Sequence, residues 1–208
     1  MSANVIVLYD GYSNHKNDQE MSANCSCTLI KSHVNIIVDT MTPWDANKIR
    51  NSLKKQEVDE DQINYVVSTH GHSDHIGNNN LFLKAKHIVG FSVSYMDNYY
   101  LHPFDEGKEF IINEFVKIIP TPGHTLTDVT VLAVTKEDET VAITGDLFEK
   151  FEDLEDPNIW LEAGSEDSVQ QRKNRSKVAQ LADWIVPGHG PKFKVTDEIR
   201  KSLLEQIV

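Results

Sequence analysis

Four potential metal ligands stand within six residues in Thr69-His70-Gly71-His72-Ser73-Asp74-His75. Imidazole nitrogen and carboxylate oxygen suit zinc, with manganese or iron as alternatives, and no thiolate is needed. In a loop, His70 and His72 can face one ion while Asp74 and His75 turn toward a second. Taken alone, such a match could be a surface histidine cluster. Three remote turns argue against that: Thr-Pro-Gly-His124, Thr-Gly-Asp146 and Pro-Gly-His189. His124 completes a three-histidine set with His70 and His72. His189 joins Asp74 and His75, and Asp146 can bridge the two ions.

Two ions about 3.5–4 Å apart clamp attacking and departing oxygens, and they lower the pKa of bound water to about 7. The expected nucleophile is therefore a hydroxide bridging the metals, with Asp74 counted as catalytic as well as ligating. The centre keeps a net positive charge, which favours an anionic or strongly polarised substrate.

The elements that must position these groups share one feature. Apolar runs Tyr65–Val67, Val116–Ile119, Val141–Ile143 and Trp184–Val186 each end in a polar or glycine-bearing turn that presents a metal-capable side chain. Buried strands ending on one sheet edge would bring the four turns together. The N-terminal half reads as short strands, Val5–Tyr9, Cys25–Ile30 and Asn35–Val38. Thr42 before Pro43 and Asp45 predicts an N-cap and a helix over Pro43–Gln56. Its apolar stripe is Ala46, Ile49 and Leu53. A further helix is predicted to start at Ser165-Glu166-Asp167, and a last one spans about Thr196–Gln206.

In this order, the histidine loop and the three turns resemble the metallo-β-lactamase superfamily. The resemblance runs from about Val5 to Val195. It implies an α/β fold, an αββα sandwich of two mixed sheets flanked by helices in a single domain over 1–208, with the site at one edge. Asp39-Thr40-Met41 stands where the superfamily has Asp-Thr-Gly, which implies a different turn there. Longer segments, such as Gly-Asp-Leu-Phe-Glu149 and Ala-Asp-Trp-Ile-Val-Pro-Gly-His-Gly-Pro-Lys-Phe-Lys-Val195, resemble one branch of the superfamily. That likeness implies an endoribonuclease of histone pre-mRNA 3′-end processing, with RNA as partner, acting as a homodimer in cytosol and nucleus.

The bulk composition bears on these expectations. With 208 residues, 39% hydrophobic and 25% charged, the chain is that of an ordinary globular domain without a run of about 20 apolar residues to span a bilayer. Its start lacks a basic leader, so secretion is not expected. Cys25 and Cys27, two apart, are expected as free thiols of a reducing compartment. Twenty basic against 32 acidic residues give a net charge of −12, which disfavours long-range attraction to nucleic acid. The acidic run Glu149, Glu152, Asp153, Glu155 and Asp156 would repel phosphates if it flanked the cleft.

Local phosphate contacts could come from Arg172, Lys173, Arg175 and Lys177, which otherwise read as a solvated helix face. Trp160 and Tyr99 or Tyr100 could stack bases or simply anchor packing. His102, before Pro103, reads as a surface or packing residue or as a proton donor to the leaving group. Asp128 reads as orienting a ligand imidazole or as an ordinary surface residue. His33 and His87 read as surface or packing residues. A second reading is a small-molecule hydrolase acting on a thioester, as glyoxalase II does, or on a lactam or lactone. A third is a single-iron dioxygenase resembling the persulfide dioxygenases.

Overall fold

The computed structural model describes residues 2–17 and 19–207. The domain ends expected at Met1 and Val208 lie outside them. The chain opens with β1 (Asn4–Tyr9), a hairpin of β2 (Tyr12–Asn17) and β3 (Glu20–Asn24), then β4 (Cys27–Lys31) and β5 (Asn35–Val38). Helix α1 (Ala46–Lys55) leads to β6 (Ile63–Ser68) and the short α2 (Ser73–Ile76). Strands β7 (Lys86–Val89), β8 (Ser92–Tyr95) and β9 (Asn98–Tyr100) follow. The second half runs β10 (Phe110–Asn113), β11 (Val116–Pro120), β12 (Val129–Val134), β13 (Thr140–Gly145), α3 (Asn158–Glu162) and α4 (Ser168–Leu181). It ends with β14 (Trp184–Pro187), β15 (Phe193–Lys194) and α5 (Asp197–Glu205).

Side chains alternate across a strand, so strands buried on both faces feed two cores at once. Ile36 and Val38 face the inter-sheet core while Ile37 faces outward, and Val67 and Val66 divide in the same way. In the second half Val131 and Ala133 point inward and Leu132 outward, as do Val186 and Ile185. Ile49 and Leu53 of α1 cover the outer face of the first sheet. Val178 and Ala179 of α4 and Leu203 of α5 cover that of the second. The layers are therefore helix, sheet, sheet, helix, the αββα sandwich expected from the sequence.

The first sheet is ordered β1-β4-β5-β6-β7-β8-β9 and the second β10-β11-β12-β13-β14-β15. The pairs β5–β6 and β6–β7 are parallel, as is β13–β14. Parallel neighbours end at the same edge, which sets the turn after β5 beside the histidine loop after β6. The turn after β13 likewise lies beside the one after β14. The two sheets are joined at that edge by the Val129 amide, which donates to the Thr69 carbonyl at 2.9 Å.

Some expectations change. The stretch at Pro43 begins as a 3-10 turn, and Thr42 donates its hydroxyl to Asp45 instead of capping the helix. Helix α4 starts three residues later than predicted. Asp167 caps it by accepting from the Val169 and Gln170 amides, and Ser165 and Glu166 belong to the loop holding the His124 turn. The β2–β3 hairpin and strands β7 to β10, β12 and β15 go beyond the strands expected from the sequence. Cys25 and Cys27 are free and buried. Among the described residues no helix is long and apolar enough to cross a membrane.

Arg175 is not a phosphate contact. Its guanidinium is buried, paired with Asp153 at 2.6 and 2.9 Å, and donates to the Leu147 carbonyl at 2.9 Å. Trp160, also fully buried, packs with Arg172 and Arg175 and offers no face to a base. Helix α4 thus clamps the loop after β13, helped by Gln171, whose amide donates to the Asp146 carbonyl at 3.0 Å. Arg175→Ala strands the Asp153 carboxylate in the interior and is expected to cost about 3–5 kcal/mol. Lys173→Ala, at an exposed position, should stay within about 0.5 kcal/mol. Denaturant unfolding checks the contrast, and equal effects would contradict the structural role.

Candidate metal centre

The histidine loop leaves β6 at Ser68 and turns into α2, so His70 and His72 precede the helix and Asp74 and His75 lie on its first turn. His70 Nε2 lies 2.9 Å from His72 Nδ1, which lies 3.1 Å from His124 Nε2. Asp146 Oδ2 completes this group at 3.5 Å from His70 Nε2 and 3.3 Å from His124 Nε2. The other oxygen of the same carboxylate, Oδ1, faces His75 Nε2 at 3.2 Å and His189 Nε2 at 3.3 Å. Asp74 Oδ2 is 3.8 Å from His189 Nε2. One carboxylate therefore belongs to two clusters, and all seven residues singled out from the sequence converge.

These separations suit absent ions. Donors about 2.0–2.2 Å from a tetrahedral zinc lie roughly 3.3 Å apart. His75 Nε2 and Asp146 Oδ1 are buried without a hydrogen-bond partner, a costly state unless something else satisfies them. Nitrogens and carboxylates aimed at common points, with orphaned atoms among them, fit divalent cations.

Behind the ligands, a layer the sequence reading passed over fixes ring orientation. His75 Nδ1 donates to Asp39 Oδ2 at 3.0 Å, and Asp39 also accepts from the Thr69 amide at 2.8 Å and the Thr69 hydroxyl at 3.0 Å. His189 Nδ1 faces the Asn24 carbonyl at 3.1 Å and the Tyr12 carbonyl at 3.2 Å. Each contact sets a tautomer with Nε2 free for a metal. Asp39 and Met41 both lie in the left-handed region at φ 57. Methionine holds that conformation without glycine's freedom, at about 1–2 kcal/mol.

Two other candidates are corrected. Asp128 binds no imidazole. Its carboxylate accepts from the Thr125 amide at 2.7 Å and hydroxyl at 2.6 Å, fixing the turn after His124. Burial, with help from Asp146, pushes its carboxyl up to about 7. His102 belongs to neither cluster, because its ring packs against Phe104 and Phe110 and its Nε2 contacts the Lys108 carbonyl at 3.2 Å. His33 pairs with Glu114 and His87 with the Phe82 carbonyl, as expected of surface and packing residues. Of the acidic run, Glu149 is buried beside His189 and Asp153 is buried too. His72 is exposed and Asp74 partly so, which marks the open side of the centre.

Burial disfavours charge on the rings of His70, His75, His124 and His189, and the carboxylates decide which of them overcome it. Asp146 and Asp39 on either side hold His75 well above the usual imidazole range. Burial lowers His189 too, but Asp146 and Glu149 outweigh it and push that ring up to about 9. His70 and His124 are held below the usual range, by burial first and neighbouring histidines next. Burial opposes a charge on Asp146, yet His75, His189 and His70 keep it anionic far below its ordinary range. Burial, then Asp146, drives Glu149 up.

The αββα layering and the paired His/Asp clusters define a metallohydrolase fold whose clusters fit divalent metal binding. The metallo-beta-lactamase superfamily model matches residues 23–189, and the chain belongs to that superfamily. It is 37% identical over 193 residues to metallo-beta-lactamase domain-containing protein 1 of Xenopus laevis, covering 92% of this chain and 81% of the relative. The Homo sapiens protein of the same description is 38% identical over 165 residues, or 78% of this chain. The chain spans only 60% of that human relative's length. An N-acyl homoserine lactone hydrolase, solved with N-hexanoyl-L-homoserine at its catalytic metal centre, has a TM-score of 0.62 at 18% identity. That match covers 91% of this chain and 92% of the other, and it reflects a shared fold.

Two outcomes follow. A Cβ at Gly188 would stand 1.9 Å from Asp146 Oδ1, so Gly188→Ala is expected to weaken metal binding at least about ten-fold. Equilibrium metal titration of the folded variant checks this, and unchanged affinity would contradict the packing. The raised His189 pKa means that its charged form stabilises the metal-free fold fully below about pH 6.5. That contribution is lost as pH climbs toward about 9. A metal must displace the proton, so uptake at pH 7 should release protons and strengthen as pH rises. Calorimetry in buffers of different ionisation heat would show no buffer dependence if His189 and His75 were both already neutral.

Proposed function

We propose that this protein is a divalent-metal-dependent hydrolase holding two ions, zinc by ligand chemistry, on a shared carboxylate. The observation that supports this most is the division of the Asp146 oxygens between two clusters of nitrogen donors. His70, His72 and His124 would hold the first ion, Asp74, His75 and His189 the second, and Asp146 both. Such a pair of ions polarises the bond to be cleaved and lowers the pKa of water to about 7.

The chain's own residues supply position and charge. Asp39 and the Asn24 carbonyl keep His75 and His189 oriented, so the centre needs no reorganisation on binding substrate. Exposed His72 and half-exposed Asp74 leave one side open to an incoming group. Helix α4 and the inter-sheet core close the other sides.

The substrate reading carried by the sequence resemblance is endoribonucleolysis by a homodimer in cytosol and nucleus. Exposed Lys173 and Lys177 on α4 support it, as do exposed Tyr99 and Tyr100 on β9, where Lys86 lies 4.5 Å over the Tyr100 ring. A second reading, hydrolysis of a small ester, thioester or lactone, is favoured by one observation. Arg175 is consumed in the interior and Glu149 adds a carboxylate beside the centre, so few groups remain to attract a polyanion.

The test incubates metal-replete protein, beside Asp146→Ala, with structured histone pre-mRNA, unstructured RNA and a panel of thioesters and lactones. Turnover of one class should fall at least about a hundred-fold in the variant. RNA cleavage with that loss supports the endoribonuclease, and lactone or thioester turnover with that loss supports the small-molecule enzyme. Hydrolysis surviving in Asp146→Ala, or abolished by no chelator, contradicts the metal-dependent reading.

A further inference from the structure

Glu149 lies three residues beyond Asp146, past the turn that α4 clamps, and is 3% exposed. Its amide donates to Asp153 Oδ2 at 2.7 Å, and its carbonyl accepts from the His189 amide at 2.7 Å. The residue is thus locked by its backbone on both sides, and the side chain is free to serve another purpose. That side chain turns toward the centre, with Oε2 4.0 Å from His189 Nε2. Oxygens of Asp146 and Glu149 and a nitrogen of His189 all lie within 4.8 Å of one another. Asp146 Oδ1, buried and without a hydrogen-bond partner, points into the same space.

We propose that Glu149 is a further ligand of the second ion, giving it Asp74, His75, Asp146, Glu149 and His189. This rests on the two-ion reading above. Glu149 Oε2 at 4.0 Å and Asp74 Oδ2 at 3.8 Å from His189 Nε2 both leave room for a cation held by each donor. Five donors in all would give the second position a higher coordination number than a tetrahedral zinc has. The first, built from three imidazoles and one carboxylate oxygen, is suited to four.

The two positions differ in chemistry as well as geometry. Three carboxylate oxygens make the second set harder, and oxygen-rich sites accept manganese more readily than imidazole-rich ones. A dication there supplies the positive charge that the buried carboxylate otherwise lacks. A third carboxylate also lowers the net positive charge of the filled centre, which reduces its attraction for highly charged substrates. Glu149 also lines a cavity of about 200 Å³ with Ser13, His15, Met21, Asp156 and Ile159.

The test strips the full chain of metal and titrates it with cobalt(II), following visible absorption and metal content. The wild type should take up two ions per chain, the second with the weak absorption of a five- or six-coordinate centre. Glu149→Gln keeps shape and backbone contacts. It should leave first-site affinity unchanged, lower second-site affinity at least about ten-fold, and shift the second band toward stronger four-coordinate absorption. Glu149→Asp serves if the glutamine variant unfolds in a thermal scan, with the same shift expected from its shorter reach. Second-site affinity within about two-fold of wild type, with an unchanged spectrum, overturns the ligand role and leaves the two-ion reading intact. A wild type that binds fewer than two ions overturns both.

Discussion

Placing an anionic carboxylate in the interior among four imidazoles is the constraint on which the rest of the architecture depends. Asp146 is 4% exposed and has four histidine nitrogens within 3.5 Å of its two oxygens. An isolated charge at such a depth would be very costly. Here the imidazoles balance it, and divalent ions between the donors would satisfy the atoms that have no hydrogen-bond partner. Every turn that reaches the centre is shaped to bring its donor close to this carboxylate. Gly145, at φ +52, presses against Thr69, and Gly188 presses against the carboxylate itself. Neither position has room for a Cβ.

Holding so many donors around one charge requires a frame with little slack. The sandwich supplies it by burying alternate residues of single strands in two cores, so a strand that shifts register loses both packings. The parallel pairs set the donor-bearing turns at one edge. The Val129–Thr69 hydrogen bond joins the sheets there, and α4 fastens the Asp146 loop from outside through Gln171 and Arg175. The Arg175–Asp153 pair is therefore part of the site's support although it touches no reacting group.

The sequence showed the ligands and the layering for the same reason. Metal donors are chemically distinctive, they recur after apolar runs, and a strand followed by a glycine turn leaves few places for the next residue to point. Groups acting at second hand were less legible. Asp39 was visible only as the first residue of a familiar turn in which Met41 replaces the glycine, because its role depends on β5 lying beside β6. The carbonyls of Tyr12 and Asn24 have no side-chain signature, and the hairpin bearing them was not read as strands. Charge patterns misled where burial decides the role. Arg175, Asp153 and Glu149 look like surface residues in a string of letters, whereas Trp160 and His102 take the packing roles their letters also allowed. Asp128 was found, but its bonds go to Thr125 because the turn folds back on itself within four residues.

Whether one carboxylate is shared by two cations is best decided by anomalous diffraction from crystals grown with zinc. Two peaks about 3.5–4 Å apart are expected, one beside each oxygen of Asp146, with His70, His72 and His124 around the first and His75 and His189 around the second. A single peak, or two peaks that leave Asp146 bound to only one ion, would contradict that sharing.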